Sequence, residues 1–295
     1  MKIPAAITNT GSATSTRLHR SLLCWLAIIV LAASCTQKQQ ETVKEKTVPD
    51  SSLIKQQPPP VIDTSVKTVF HKKKIYLTFD DGPNDGTINV LNAIKEDSIP
   101  ATFFVVGKHV FSGPLQSATW KQLETDTSIE LCNHSYTHAL NRYAKYYQHP
   151  GEVVKDIQRN QDSLSFNTKV VRMPGRNAWR IGAINRTDIK ESIAAIDAVH
   201  SAGFAVMGWD LEWMFDHKTL ALVTDTGLLL RRIDNMLQAK KTKTPGHLVL
   251  LAHDQAFQTK ESVAQLHYVF QQLKNNPEYE LVLVNSYPGI KKDLP

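Results

Sequence analysis

Cysteine is scarce in this chain: Cys24, Cys35 and Cys132 are the only three among 295 residues. So few thiols exclude a disulfide framework. Stability must come from an apolar core, which a 42% hydrophobic content can supply. Long apolar runs are missing as well. The run Leu22 to Ala33 has twelve residues, short of the roughly 20 that a membrane-crossing helix needs. A surplus of charge is weak too. The formal net charge is +6, but Lys2, Arg17 and Arg20 lie in a segment without acidic residues, and the rest balances 31 basic against 28 acidic groups. The basic runs Lys72 to Lys74, Lys240–Lys241 with Lys243, and Lys291–Lys292 flank expected strands or end helices and read as solvated faces. No basic stripe with interleaved aromatics is present, which argues against a nucleic-acid partner. No internal repeat is found.

The N-terminus reads as a targeting segment. Arg17 and Arg20 precede the apolar run, which ends Leu31-Ala32-Ala33-Ser34-Cys35. Small residues directly before a cysteine resemble the lipobox of bacterial lipoproteins, although the leucine stands four rather than three residues before it. The resemblance implies a signal peptide over 1–34, cleavage, and a lipid anchor on Cys35 that holds the exported chain at a membrane surface of the cell envelope. Residues 36 to about 68 are rich in Gln, Lys, Glu, Thr and Pro. They bury too little apolar area to fold, so 35–70 is expected to be a disordered tether. Residues 71–290 remain as the folded body, expected to be monomeric.

Within that body, strand-like and helix-like stretches alternate. Strands are expected at Ile75–Phe79, Thr102–Val106, Ile129–Cys132, Val170–Arg172, Ala205–Trp209, Leu248–Ala252 and Leu281–Val284. Amphipathic helices are expected at Thr87–Glu96, Trp120–Thr125, Glu152–Leu164, Ile189–Ala202, Gly227–Ala239 and Ser262–Leu273. Such alternation specifies an α/β fold with a parallel sheet, closed into a barrel, whose working end lies at the C-terminal ends of the strands.

The chemically suggestive residues fall there. Asp80 and Asp81 end the first strand before a Gly82-Pro83 turn. Two adjacent carboxylates at a strand mouth need a cation or donors to stay ionised. His134 and His138, spaced as on one face of a helical turn, follow the third strand and can share a metal with a carboxylate. A His/His/Asp set that leaves positions open suits a hydrolytic ion rather than a structural one. Arg172 ends the fourth strand in Arg172-Met173-Pro174-Gly175 and can hold a carboxylate ionised; the Pro-Gly step can expose an N–H as oxyanion donor. His253 ends the apolar strand Leu248–Ala252, and a carboxylate of Gly208-Trp209-Asp210-Leu211-Glu212-Trp213 can orient it as a general acid. Trp209 and Trp213 read either as core or as a sugar-facing wall.

In that order, Thr78-Phe79-Asp80-Asp81-Gly82-Pro83, His134-x-x-x-His138, Arg172-x-Pro174-Gly175, the acidic-Trp element and Leu251-Ala252-His253 resemble the polysaccharide deacetylases of carbohydrate esterase family four, the NodB-homology group. The resemblance covers roughly residues 72–287 and implies a distorted (β/α)7 barrel that removes acetyl groups from an acetylated glycan. It implies Asp80 as general base, Asp81, His134 and His138 as ligands of a divalent ion (most often zinc), and Arg172 as the residue that orients Asp80. It further implies His253 as general acid with Asp210, the better match, or Glu212 as its partner. Gly175 stands where many members have a tyrosine, and the acidic-Trp element is one residue short. N-deacetylation of an N-acetylhexosamine glycan is the main reading. O-deacetylation of a polysaccharide, or a non-catalytic glycan-binding lipoprotein, are the alternatives.

Overall fold

The computed structural model describes residues 71–290. The expected signal peptide, the Cys35 anchor and the tether lie outside the described residues. The chain runs β1 (Lys73–Asp80), α1 (Thr87–Asp97), β2 (Ala101–Val105), α2 (Gly107–Val110), α3 (Pro114–Glu124), β3 (Ile129–Asn133), α4 (Tyr143–Tyr147) and α5 (Pro150–Leu164). There follow β4 (Val170–Val171), β5 (Ala178–Ile181), β6 (Ile184–Thr187), α6 (Ile193–Ser201), β7 (Ala205–Val206) and β8 (Leu211–Glu212). The last elements are α7 (Thr226–Gln238), β9 (His247–His253), α8 (Lys260–Asn275) and β10 (Tyr279–Leu281).

The ten strands form one sheet in the order β6-β5-β7-β4-β3-β2-β1-β9-β8, with β10 beside the start of β1. Pairing is parallel except where β5 meets β6 and β7. The expected α/β fold with parallel strands is therefore present, with the ladder open between β6 and β8. Both faces of β1 are buried, which explains its near-continuous apolar run. Ile75, Leu77 and Phe79 face outward and pack with Phe103, Leu250, Leu91 of α1 and Phe270 of α8. Tyr76 faces inward and meets Phe104, Cys132, Val170, Trp179, Met207 and Val249. Residues from strands so far apart in the order meet only because the sheet curls. Each large side chain buried this way contributes about 1.5–3 kcal/mol.

The helices cover the outer face through stripes at helical spacing, such as Val90, Leu91 and Ile94 on α1 and Val153, Ile157 and Leu164 on α5. The connection from α1 to β2 turns at Ser98, which is left-handed at φ 51° and caps the helix.

The structure departs from the sequence expectation in several places: the short helices α2 and α4 were not expected, α3 starts at Pro114 rather than Trp120, and β7 ends at Val206 rather than Trp209. The hairpin β5–β6 carries Arg180, Asn185 and Arg186, whose polarity hides its alternation. β8 has two residues, too few for a periodic signal. The last strand lies at Tyr279–Leu281, and the expected Val284 end is a 3-10 turn. Finally, α6 starts at Ile193 rather than Ile189, after a separate 3-10 turn at Lys190–Ser192.

Candidate metal centre and active site

Register sets the site. β1 and β9 pair in parallel so that Asp80 stands directly beside His253. Alternation along each strand turns Tyr76, Thr78 and Asp80, and likewise Val249, Leu251 and His253, to the inside of the curl. Asp81 should then face outward. Its backbone is left-handed at φ 77°, and this turn brings its carboxylate to the same cleft as that of Asp80.

Asp80 is 2% exposed, and its Oδ1 accepts a 2.7 Å hydrogen bond from Nη1 of Arg172. Arg172 is itself fully buried. Its other donors reach Thr78 Oγ1 at 2.8 Å, the Met207 carbonyl at 3.3 Å and the Gly208 carbonyl at 2.9 Å, while its plane lies 4.1 Å over the Phe104 ring. Every polar edge of the guanidinium is used, so the charge is tolerated in the interior and directed at one carboxylate. Arg172 stands behind Asp80 rather than in the cleft.

The ligand atoms of Asp81, His134 and His138 all lie within 4.8 Å of one another. Asp81 Oδ1 is 3.3 Å from His134 Nε2 and 3.0 Å from His138 Nε2. It is buried with these two ring nitrogens as its close polar neighbours and no other hydrogen-bond partner. One orphaned carboxylate oxygen facing two ring nitrogens is a donor set for a divalent cation, and two nitrogens with one oxygen suit zinc in an open, hydrolytic site. His134 Nδ1–H donates to the Arg172 carbonyl at 2.8 Å, which leaves its Nε2 lone pair free for a metal. Burial raises the Asp81 pKa, but the two imidazoles outweigh it and hold the group well below the usual carboxylate value. For His134, burial lowers the pKa and the charges of Asp80 and Asp81 more than reverse that, so it is raised on balance.

The spacing of four between the histidines does not mark a helical turn, contrary to expectation. Ser135 and His138 are left-handed at φ 65° and 51°. Side chains stitch the loop instead: Asn133 Oδ1 accepts from the Ser135 N–H, and Ser135 Oγ accepts from the His138 N–H, each at 2.9 Å. Asn160 of α5 donates to the same Asn133 oxygen and to the Val105 carbonyl. The two imidazoles converge because a buried amide network folds the loop back, not because a helix presents them.

Asp210 is the second correction. It was expected to hold His253, but β8 pairs with β9 so that Glu212 is level with Leu251 and Asp210 with Val249. Val249 is four residues below His253, about 13 Å along a strand. The Asp210 carboxylate instead accepts from the Lys243 and Val249 N–H groups at 2.7 and 2.9 Å. Glu212 Oε1 is the carboxylate near His253, 3.9 Å from Nδ1, a nitrogen that is buried without a hydrogen bond. Glu212→Gln should therefore lower turnover about tenfold, because the imidazole that gives up the proton loses the carboxylate beside it. Asp210→Asn should cost about 1–2 kcal/mol in urea unfolding and leave turnover near the parental value. The reverse pattern would restore Asp210 as the partner.

Asp80, Asp81, His134, His138, Gly175 and His253 line one cleft of about 850 Å³. Gly175 sits at φ 61° with its α-carbon against Tyr143, whose ring a Cβ would meet at 3.0 Å. Trp209 lines the cleft, whereas Trp213 is core and donates to the Thr224 carbonyl. Two further residues had no role assigned from the sequence, His109 because it lacks a partner at regular spacing. His109 lines the cleft, and Asp254 lies beneath it, fully buried. Asp254 accepts from Asn84 Nδ2 and Thr87 Oγ1 and leaves no room for a side chain at Gly82 or Gly86, so the turn after Asp81 is stapled to the residue after His253. Burial, with the nearby charges of Asp81 and Asp80, pushes its pKa up to about 7 against the pull of those two donors. Its position directly after His253 was the one available signal.

Comparison with known proteins agrees with this geometry. Residues 67–195 match the family model described as polysaccharide deacetylase. YheN of Bacillus subtilis (strain 168), itself assigned to the polysaccharide deacetylases, is 25% identical over 79% of this chain and 78% of its own length. A peptidoglycan-N-acetylglucosamine deacetylase of Bacillus cereus is 28% identical over 62% of this chain, which spans 63% of that relative. Among solved structures, a CE4 esterase of Streptococcus mutans superposes with a TM-score of 0.53 at 23% identity, over 72% of this chain and 87% of that one; at that identity the likeness shows the fold. Over residues 67–195 the chain matches the polysaccharide deacetylase model, and with relatives of that name along most of its length it is similar to the polysaccharide deacetylases.

Proposed function

We propose that the protein is a metal-dependent N-deacetylase of an N-acetylhexosamine glycan in the cell envelope. One observation carries the reading: Asp80 and His253 sit side by side in register, next to the Asp81, His134 and His138 set, at the open end of the curled sheet. The B. cereus relative named a peptidoglycan-N-acetylglucosamine deacetylase supports the substrate class.

Asp81, His134 and His138 would hold the ion, which when bound supplies Lewis-acid polarisation of the acetyl carbonyl. Asp80, oriented by Arg172, accepts a proton from the attacking water as the oxygen adds to the acetyl carbon. The Gly175 N–H at the cleft rim serves the developing oxyanion. As the C–N bond breaks, His253 gives its proton to the nitrogen, so that acetate and a free amine leave. An amide nitrogen is a poor leaving group without that proton, whereas an ester oxygen departs more readily. A paired Asp and His on one level are therefore of most use to N-deacetylation.

The test is acetate release from N-acetylated chitooligosaccharide and peptidoglycan and from an O-acetylated polysaccharide, each with zinc and with chelator. Release from the N-acetylated glycans, lost with chelator and restored by zinc, is expected. Release from the O-acetylated substrate alone would replace this reading with esterase activity. No release from any of them, together with retained glycan binding, would favour a binding protein. Placement at the envelope rests on the Leu22–Cys35 segment; Cys35→Ser should move the protein from the membrane to the soluble fraction.

A further inference from the structure

The left-handed backbone at Asp81 needs something to hold it. A non-glycine residue at φ 77° costs about 1–3 kcal/mol and persists where its surroundings over-determine it. Two contacts do so here. The Val106 N–H donates to the Gly82 carbonyl at 3.0 Å, and the carbonyl of Asp81 itself lies 2.6 Å from Nδ1 of His109 on α2. A carbonyl only accepts, so Nδ1 carries the hydrogen and donates. In the neutral ring the lone pair is then on Nε2.

His109 is half-buried, lines the same cleft, and has its ring centre 6.4 Å from that of His138. It is not one of the three residues whose ligand atoms converge. The reaction derived above gives it no task. Its chain neighbours Lys108 and Ser112 also line the cleft, with Asn84 and Gln255, so this stretch of wall is built from groups that hydrogen-bond.

We infer that His109 is a two-ended positioning residue. Its Nδ1–H pins the Asp81 backbone in the conformation that aims the carboxylate at His134 and His138, and its Nε2 presents an acceptor to a hydroxyl of the bound glycan. The second half rests on the deacetylase reading; the first does not. His109 thus couples the metal ligand to the sugar, because one ring is fixed at one end by the ligand's own backbone and faces the substrate with the other.

Two substitutions separate the ends. Asn places an amide N–H where Nδ1 was and nothing where Nε2 was; Gln reaches the Nε2 position and vacates Nδ1. Both are polar and no larger than histidine, and thermal unfolding of each checks the fold. On the full chain stripped with chelator, zinc affinity is read by calorimetry, and kcat and KM are read on N-acetylated chitooligosaccharide at saturating zinc. His109→Asn should bind zinc within about threefold of the parent and raise KM about five- to tenfold with kcat little changed. His109→Gln should bind zinc about 10–100-fold more weakly, with KM near the parent once zinc is saturating. Parental zinc affinity in His109→Gln overturns the pin. Parental KM in His109→Asn overturns the sugar contact. If the parent binds zinc but releases no acetate, the functional reading fails and takes the sugar contact with it, while the zinc measurement still decides the pin.

Discussion

Asp80→Asn should slow acetate release by about two to four orders of magnitude, the usual contribution of a positioned general base, while zinc remains bound. The amide keeps the shape of the carboxylate and its Oδ1 can still accept from Arg172, so the cleft should not collapse. What it loses is the basic oxygen and the negative charge. Arg172 has no access to water and would then have only neutral acceptors, the amide oxygen with Thr78, Met207 and Gly208. Breaking a buried pair outright costs about 3–5 kcal/mol, and retention of one neutral hydrogen bond should bring this to about 1–3 kcal/mol in urea unfolding. Metal content and single-turnover acetate release, measured on the same preparation, separate the chemical loss from the structural one. A variant that turns over at the parental rate would place the base elsewhere.

His134→Gln should weaken zinc binding about 10²–10³-fold and abolish turnover with it. A site holding zinc with about 10–16 kcal/mol spreads that energy over few ligands, so one ligand accounts for several kcal/mol. His134 is the best-positioned of the three, buried and oriented by the Arg172 carbonyl. It also predicts a pH dependence. The Asp80 and Asp81 charges raise the pKa of His134 above 6.5 despite its burial, so in the metal-free protein it keeps its proton to higher pH than a free imidazole. Zinc must displace that proton. Apparent affinity in the parent should therefore rise with pH through the neutral range, with proton release on binding, and His134→Gln should lose much of that dependence. Calorimetry in buffers of different ionisation enthalpy reads both. Unchanged affinity in the variant would remove His134 from the metal set.

The two variants test residues of different legibility. Asp80 and Asp81 were readable because a strand with both faces buried is a continuous apolar run, and charges at its end are conspicuous. The same contrast marked His253 after Leu248–Ala252 and Arg172 after Val170–Val171. The way His134 and His138 come together was not readable, since it depends on Asn160 of α5 and Asn133 satisfying a left-handed loop. Asp210 and Glu212 both fit one short motif. Only the pairing of β8 with β9 ranks them, because it leaves Asp210 four residues below His253 and beside backbone donors. His109 had no partner at any regular spacing, and its contact with Asp81 crosses from α2 to the end of β1.

By itself the sequence determined the alternation of elements, the strand ends at which chemistry collects, and the kinds of group found there. These follow from local causes: burial patterns of period 2 and 3.6, and the cost of charge beside an apolar run. The tertiary structure decided which of those groups are neighbours. Distances of a few ångströms between residues more than a hundred positions apart are set by strand register and sheet curl, and a shift of two residues in one ladder exchanges one carboxylate for another beside His253.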